Sequence, residues 1–336
     1  MAKKDSNPNK ENVNTFLVNV FKTKGKIFSS PAITSNETAI VGSHDKCVYF
    51  FGKDGILKNR FQTGGWVHSS PKILKDGSVA ISSYDKKLYI FKPTSKKPLE
   101  FKVGKIISKI GELDDSTLVF GSFFRKVCFI KSSEQKKAKF KTRGINHATP
   151  LILSDSTIVI GSTDKNMYFF NRDGSLKKKF KTKGWIMHSE PIQLGDGSIV
   201  FGSYDGNVYF LNPDATLKAK FQTGGKIHGT AVQLKDGTVV IGSFDHNVYF
   251  LNPDGTLKAK YQTGDRVVSS PAAYNENTVV IGSYDKTLYF IKSDGTLNGL
   301  FKTKGKIFSS PAVFKNGSVI VGDNAKCVYF VKQGRL

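Results

Sequence analysis

The 336 residues carry 51 Lys and Arg against 27 Asp and Glu, a net charge of +24, with 39% hydrophobic and 12% aromatic residues. That composition supports a sizeable buried core and excludes both a disordered chain and a disulfide-stapled miniprotein. Three scattered cysteines, Cys47, Cys128 and Cys327, form no CxxC pair, which excludes a disulfide framework and a zinc site and fits free thiols in a reducing compartment.

In chain order, residues 1–15 are basic and polar, with Asn, Pro and Lys where the apolar stretch of a secretory signal would stand. No signal peptide is expected, the segment reads as a disordered polar tail, and the chain is expected to be cytoplasmic. No window reaches the 18 or more apolar residues of a transmembrane helix. Residues 16–23, FLVNVFKT, read as a strand that lacks preceding partners of its own.

From there the sequence repeats. GSHDKCVYF at Gly42 returns as SSYDKKLYI, GSFFRKVCF, GSTDKNMYF, GSYDGNVYF, GSFDHNVYF, GSYDKTLYF and GDNAKCVYF, eight copies at steps of 39 to 41. A second motif, an aromatic residue followed by K/Q-T, a Gly-rich link and an SSP-like run, also occurs eight times, beginning at Phe21, Phe61, Phe101, Phe140, Phe180, Phe221, Tyr261 and Phe301. Within a unit, short Val-, Ile-, Tyr- and Phe-rich runs alternate with Asp-Gly and Pro-Asp-Gly turns, the pattern of four antiparallel strands. One such sheet cannot cover both of its faces, so copies must stack, and eight can close a ring. The sequence therefore predicts an all-β, eight-bladed β-propeller over residues 16–336. Its last unit stops before a fourth strand, which the strand at 16–23 is expected to supply.

GKIFSSP (25–31), DGTVVIGSFDHNVYFL (236–251) and DGTLKAKYQTG (254–264) resemble the pyrrolo-quinoline quinone (PQQ)-like repeat family, whose consensus runs G-x-I-x-S-S-P and then D-G-x-V-x-V-G-S-x-D-G-x-L-Y-x-L-D. The resemblance implies a propeller, and its family includes both quinone-dependent dehydrogenases and non-enzymatic scaffolds of the BamB type. The enzymes hold their cofactor on a tryptophan plane beside a disulfide of adjacent cysteines, with calcium. Here Trp66 and Trp185 are the only tryptophans and no two cysteines are adjacent. The expectation is a non-enzymatic scaffold with no cofactor and no metal. An enzyme with its active site at the channel mouth is the alternative.

The Asp of GSxD (Asp45, Asp85, Asp164, Asp205, Asp245, Asp285) is expected to bind turn amides rather than a metal. His68, His147, His188 and His228 fall on one position of the unit, near the innermost strand, and are expected at the channel mouth, semi-buried as Phe28, Ile107, Val268 and Phe308 are elsewhere. A meander places the links and the second-to-third-strand turns on one face. That face collects Lys24, Lys26, Lys105, Arg143, Lys183, Lys226, Arg266, Lys304 and Lys306, together with Lys in the turns, while carboxylates collect on the opposite face. The partner is expected to be a protein, or an acidic polymer or nucleic acid bound without sequence preference, because only six of the cations are Arg. The chain itself is expected to be monomeric.

Overall fold

In the computed structural model, which describes residues 14–106, 108–131 and 137–334, thirty-two strands, β1–β32 in chain order, form eight four-stranded antiparallel sheets. Seven sheets are consecutive meanders. The eighth is completed by the first strand: β1 (Asn14–Lys22) pairs antiparallel with β32 (Cys327–Gly334), from Asn14 opposite Gly334 to Lys22 opposite Cys327. Closure of the last blade by the N-terminal strand is thus as the sequence pattern required. The tail expected over 1–15 lies outside the described residues except for the first residues of β1. Among the described residues no helix is long and apolar enough to cross a membrane.

There is no central core. Eight hydrophobic clusters each lie between one blade and the next, such as Ile40, Val48, Val67, Val79, Ile81 and Tyr89 between the first and second. The cluster of Ile27, Val41, Tyr49 and Phe51 with Ile320, Val328 and Phe330 joins the last blade to the first. The middle two strands of each blade are buried on both faces, which is why they are runs of Val, Ile, Tyr and Phe, whereas outermost strands such as Leu217–Gln222 alternate exposed Lys218 and Lys220 with half-buried Ala219 and Phe221. Cys47, Cys128 and Cys327 are buried free thiols on the third strands.

Neighbouring blades are joined by a repeated polar clasp. The amide of Thr63 donates to the Lys46 carbonyl of the first blade at 2.8 Å, and its hydroxyl bonds the same carbonyl and that of Gly65. The next amide, Gly64, donates to Asp85 Oδ2 of the second blade at 2.8 Å, and the Tyr89 hydroxyl donates to the same oxygen at 2.7 Å. Asp85 Oδ1 takes the Lys87 amide inside its own turn. The GSxD aspartate, the tyrosine of VYF and the threonine of K/Q-T are therefore one device. It recurs around Asp45, Asp164, Asp205, Asp245 and Asp285. In the last repeat the carboxylate moves two residues upstream to Asp323, which still binds Gly305 N, Cys327 N and the Tyr329 hydroxyl. The link glycine completes the contact: a Cβ on Gly65 would strike the Asp85 amide at 2.5 Å.

The third repeat is the exception. Val103, Phe124 and Cys128 stand where the other copies have Thr, Asp and Tyr, and its link is one residue shorter. All three partners of the clasp are lost together, which is how a hydrogen-bonded set is expected to change, since one member left alone would be a buried unpaired polar group.

Closure by β1 predicts the effect of truncation. A chain starting at residue 14 should melt within about 2 °C of the full protein, whereas one starting at residue 23 loses a whole strand. That loss, worth several kcal/mol, should lower Tm by roughly 10 °C or more. Equal melting temperatures for the two chains, read by circular dichroism, would contradict the closed ring.

Candidate functional site: the channel mouth

Each link turns over the axis end of its blade and touches the turn of the same blade through one backbone bond. His44 N–H donates to the Lys26 carbonyl at 3.0 Å, and the bond recurs as Tyr84 to Trp66, Phe123 to Lys105, Thr163 to Ile145, Tyr204 to Trp185, Phe244 to Lys226, Tyr284 to Arg266 and Asn324 to Lys306. Two rings of side chains consequently interleave around the mouth. One holds the residue before the buried link aliphatic, including Lys26, Lys105, Lys226, Arg266 and Lys306, and the other holds the x of GSxD, aromatic in five copies and His44 in a sixth.

Cations and rings are in direct contact there. Lys105 Nζ lies 4.1 Å from the Tyr84 ring centroid and 4.7 Å from that of Phe123. Lys226 sits 5.5 Å over Tyr204, and Arg266 and Lys306 each lie 5.2 Å from the Tyr284 ring centroid. Trp66 stacks on His44 at 4.8 Å and 9°, yet remains 50% exposed, and Trp185 is 47% exposed beside Tyr204. Lys24, Arg143, Lys183 and Lys304 form an outer ring with exposed side chains; the amides of the first three donate to Asp45, Asp164 and Asp205, and that of Lys304 donates to the Tyr329 hydroxyl. The nine cations singled out in the sequence therefore share one face, as the link–turn bonds require. Lys306 and Arg266 are partly neutralised by Asp265, at 3.5 and 3.8 Å.

The turn cations are placed at a conformational cost. The residue one place after the GSxD position adopts a left-handed φ in all eight turns, including those where Phe124 and Ala325 replace the aspartate; that conformation favours glycine, and the resembled consensus has Gly there. Only Gly206 keeps it. Lys46, Lys86, Arg125, Lys165, Lys286 and Lys326 take φ between 58 and 74°, and His246 takes 71°. On the opposite face some carboxylates are in ion pairs, Glu37 with Lys53, Asp114 with Lys75, Asp155 with Lys177, Asp196 with Lys218 and Asp236 with Lys258, while others, such as Asp54, Asp173 and Asp254, hold the amides of their own turns.

Below the mouth the four histidines do come together. His188 and His228 stack at 4.6 Å, His147 lies 5.0 Å from His188, and Phe308 reaches across to His188, His228, His68 and Phe28. His68 Nδ1 is 3.0 Å from His44 Nε2, a partner that the repeat position alone did not indicate. His188 reaches the layer only through an extra residue, Met187, and a φ of 60°. Stacked rings do not aim their nitrogens at one point, and among the described residues no three His, Cys, Asp or Glu side chains are gathered to hold a metal ion.

Beneath this layer the second Ser of SSP passes hydrogen bonds around the axis. The amides of Glu190, Thr230, Ser270, Ser310 and Ser30 each donate to the hydroxyl of the next blade, at 2.8 to 3.0 Å. Lys109 and Glu190 replace hydroxyls in this ring and face each other at 3.9 Å. Imidazoles and hydroxyls enclose a cavity of about 80 Å³, room for a few waters.

No protein-family model matches the sequence, and no curated protein matches it. Among solved structures, BamB from Moraxella catarrhalis superposes with a TM-score of 0.79 at 15% identity, over 95% of this chain and 97% of that one. At that identity the likeness is one of fold.

Burial holds the imidazoles neutral: it lowers His68, His147 and His228 to about 4 and His188 well below the ordinary value, with Lys105 and neighbouring imidazoles adding to the shift at His68. The unfolded chain takes up these protons near pH 6.5, so the stability contributed is intact above that pH and is lost as pH falls toward 4. Each imidazole accounts for up to about 3 kcal/mol across the window. Tm should fall between pH 7 and 4.5, and the double substitution His147→Phe, His228→Phe, which installs the residue already present as Phe28 and Phe308, should flatten the decline. Parallel Tm profiles for the two proteins would refute this assignment.

Proposed function

We propose that the chain is a non-catalytic propeller platform that binds a protein or polyanionic partner through the basic loop face and channel mouth. The observation that carries this reading is the set of six Lys and Arg held at left-handed φ in the turns. A non-glycine residue there costs about 1 kcal/mol, and the cost falls at six turns whose charges all emerge on one face. Fold stability alone favours glycine at these positions, so the cations serve something outside the fold. The stacked layer of Phe28, Phe308 and neutral imidazoles supports the scaffold reading over chemistry deeper in the channel, because it fills the space where a planar cofactor would enter.

Stability and binding should then move in opposite directions. Lys86→Gly, Lys165→Gly and Lys286→Gly, combined, should leave Tm unchanged or raise it by a few degrees while lowering the salt concentration that elutes the protein from heparin. The comparison is Lys179→Ala, Lys220→Ala and Lys260→Ala on outermost strands, which removes the same charge from the rim. If both triple variants elute at the same salt, overall charge alone is at work and the platform has no face.

A further inference from the structure

We infer that the partner class suited to this mouth is single-stranded nucleic acid, held by base stacking on the exposed rings with phosphates on the surrounding cations. The inference rests on the platform reading and adds to it the chemistry of the ligand. A polyanion without rings, or an acidic protein, would be served by cations alone. This mouth also presents flat apolar surfaces beside them: Trp66 and Trp185 are half exposed, in the links to the second and fifth blades, and Phe124 is 59% exposed in the third.

Each ring is supported from behind or beside. Trp66 rests on His44, Trp185 on Tyr204, and Phe124 lies against the link glycine Gly104, whose added Cβ would meet its ring at 3.5 Å. Trp66 also has the Tyr84 ring at 6.0 Å, tilted by 33°, so its position is fixed from both turns and its half-exposed surface is what a base can cover. Phe124 is also the residue that displaced a clasp aspartate, so at that turn a structural carboxylate has been exchanged for an exposed ring, next in sequence to the Phe123 on which Lys105 sits. Rings alternating with point charges stack any base and neutralise any phosphate, and so bind strands without sequence preference. A duplex keeps its bases stacked inside and offers these rings nothing.

The two tryptophans are the only ones in the chain, so intrinsic fluorescence reports on this mouth alone. Titrating the full chain with a thymidine 20-mer should quench emission by about half or more, whereas inorganic polyphosphate and duplex DNA of matched charge should bind with little quenching. Trp66→Leu with Trp185→Leu should weaken the single strand about tenfold or more and leave polyphosphate affinity within about twofold. Circular dichroism confirms that the variant is folded, and Phe124→Ser, read by the remaining tryptophans, provides a second arm with the same expected loss. Equal affinity and equal quenching for the 20-mer and polyphosphate overturn the inference while leaving the platform standing, as does poly-glutamate that binds and quenches as the single strand does. Failure of every polyanion to bind overturns both.

Discussion

An aspartate carboxylate shared between consecutive blades is the interaction on which the ring depends. Blades touch across apolar clusters that slide easily in register, since a surface of Val and Ile offers no direction. The carboxylate supplies direction: its two oxygens take an amide from its own turn, an amide from the incoming link and a tyrosine hydroxyl, at 2.6 to 3.0 Å in the sixth and seventh blades. Charge-assisted bonds of this kind are stronger than neutral ones and fix orientation. Because the link is pinned to the turn, the loop residues that follow are pinned as well, and the interleaved rings at the mouth are a consequence of the clasp.

The same geometry explains how so basic a chain tolerates its own loops. Seven carboxylates lie just beneath the cationic residues of the links and turns, each accepting a link amide, a turn amide and a tyrosine hydroxyl, as Asp45 and Asp323 do. They offset part of the repulsion among the cations above without reaching the surface to pair with them. The opposite face manages its charges differently, through ion pairs between turn carboxylates and lysines of the outermost strands, as in Lys218 with Asp196 and Lys258 with Asp236. Those pairs hold Asp196 at about 2 and Asp236 well below the usual carboxylate range.

The architecture was legible because it is written eight times. Repeat spacing gave the blades, the unpaired strand at 16–23 gave the closure, and the meander placed nine cations on one side. What repetition obscured was the role of variable positions. The x of GSxD looks like a spacer in any single copy, and only the bond from its amide to the link carbonyl shows that Tyr84, Phe123, Tyr204, Phe244 and Tyr284 surround the mouth. The second Ser of SSP reads as turn chemistry until the belt around the axis appears. Lys109 and Glu190 could not be paired in advance, because they lie two blades apart and their proximity exists only in the closed ring.

Departures from the repeat gather in one sector, and this locality has a physical reading. The third blade lacks the clasp, its link is short, and Lys109 interrupts the hydroxyl belt there. At the seam with the fourth blade, Ser108 Oγ, Asn146 Oδ1 and His147 Nδ1 are buried without hydrogen-bond partners. Stability in a closed ring is a sum over eight interfaces, so one can be weak while the others hold it in register. The clasp itself is missing at the seam with the second blade, where the hydrophobic cluster is intact, with Ala80, Leu88, Ile106 and Phe120 fully buried. The shared carboxylate has been withdrawn beside the exposed Phe124 and the half-buried Lys105, which leaves apolar packing and the bonds from the Val103 and Gly104 amides to the Lys86 carbonyl to join the second and third blades. The sequence concentrates its structural concessions at the seam of the second and third blades, beside the rings and charges that face outward.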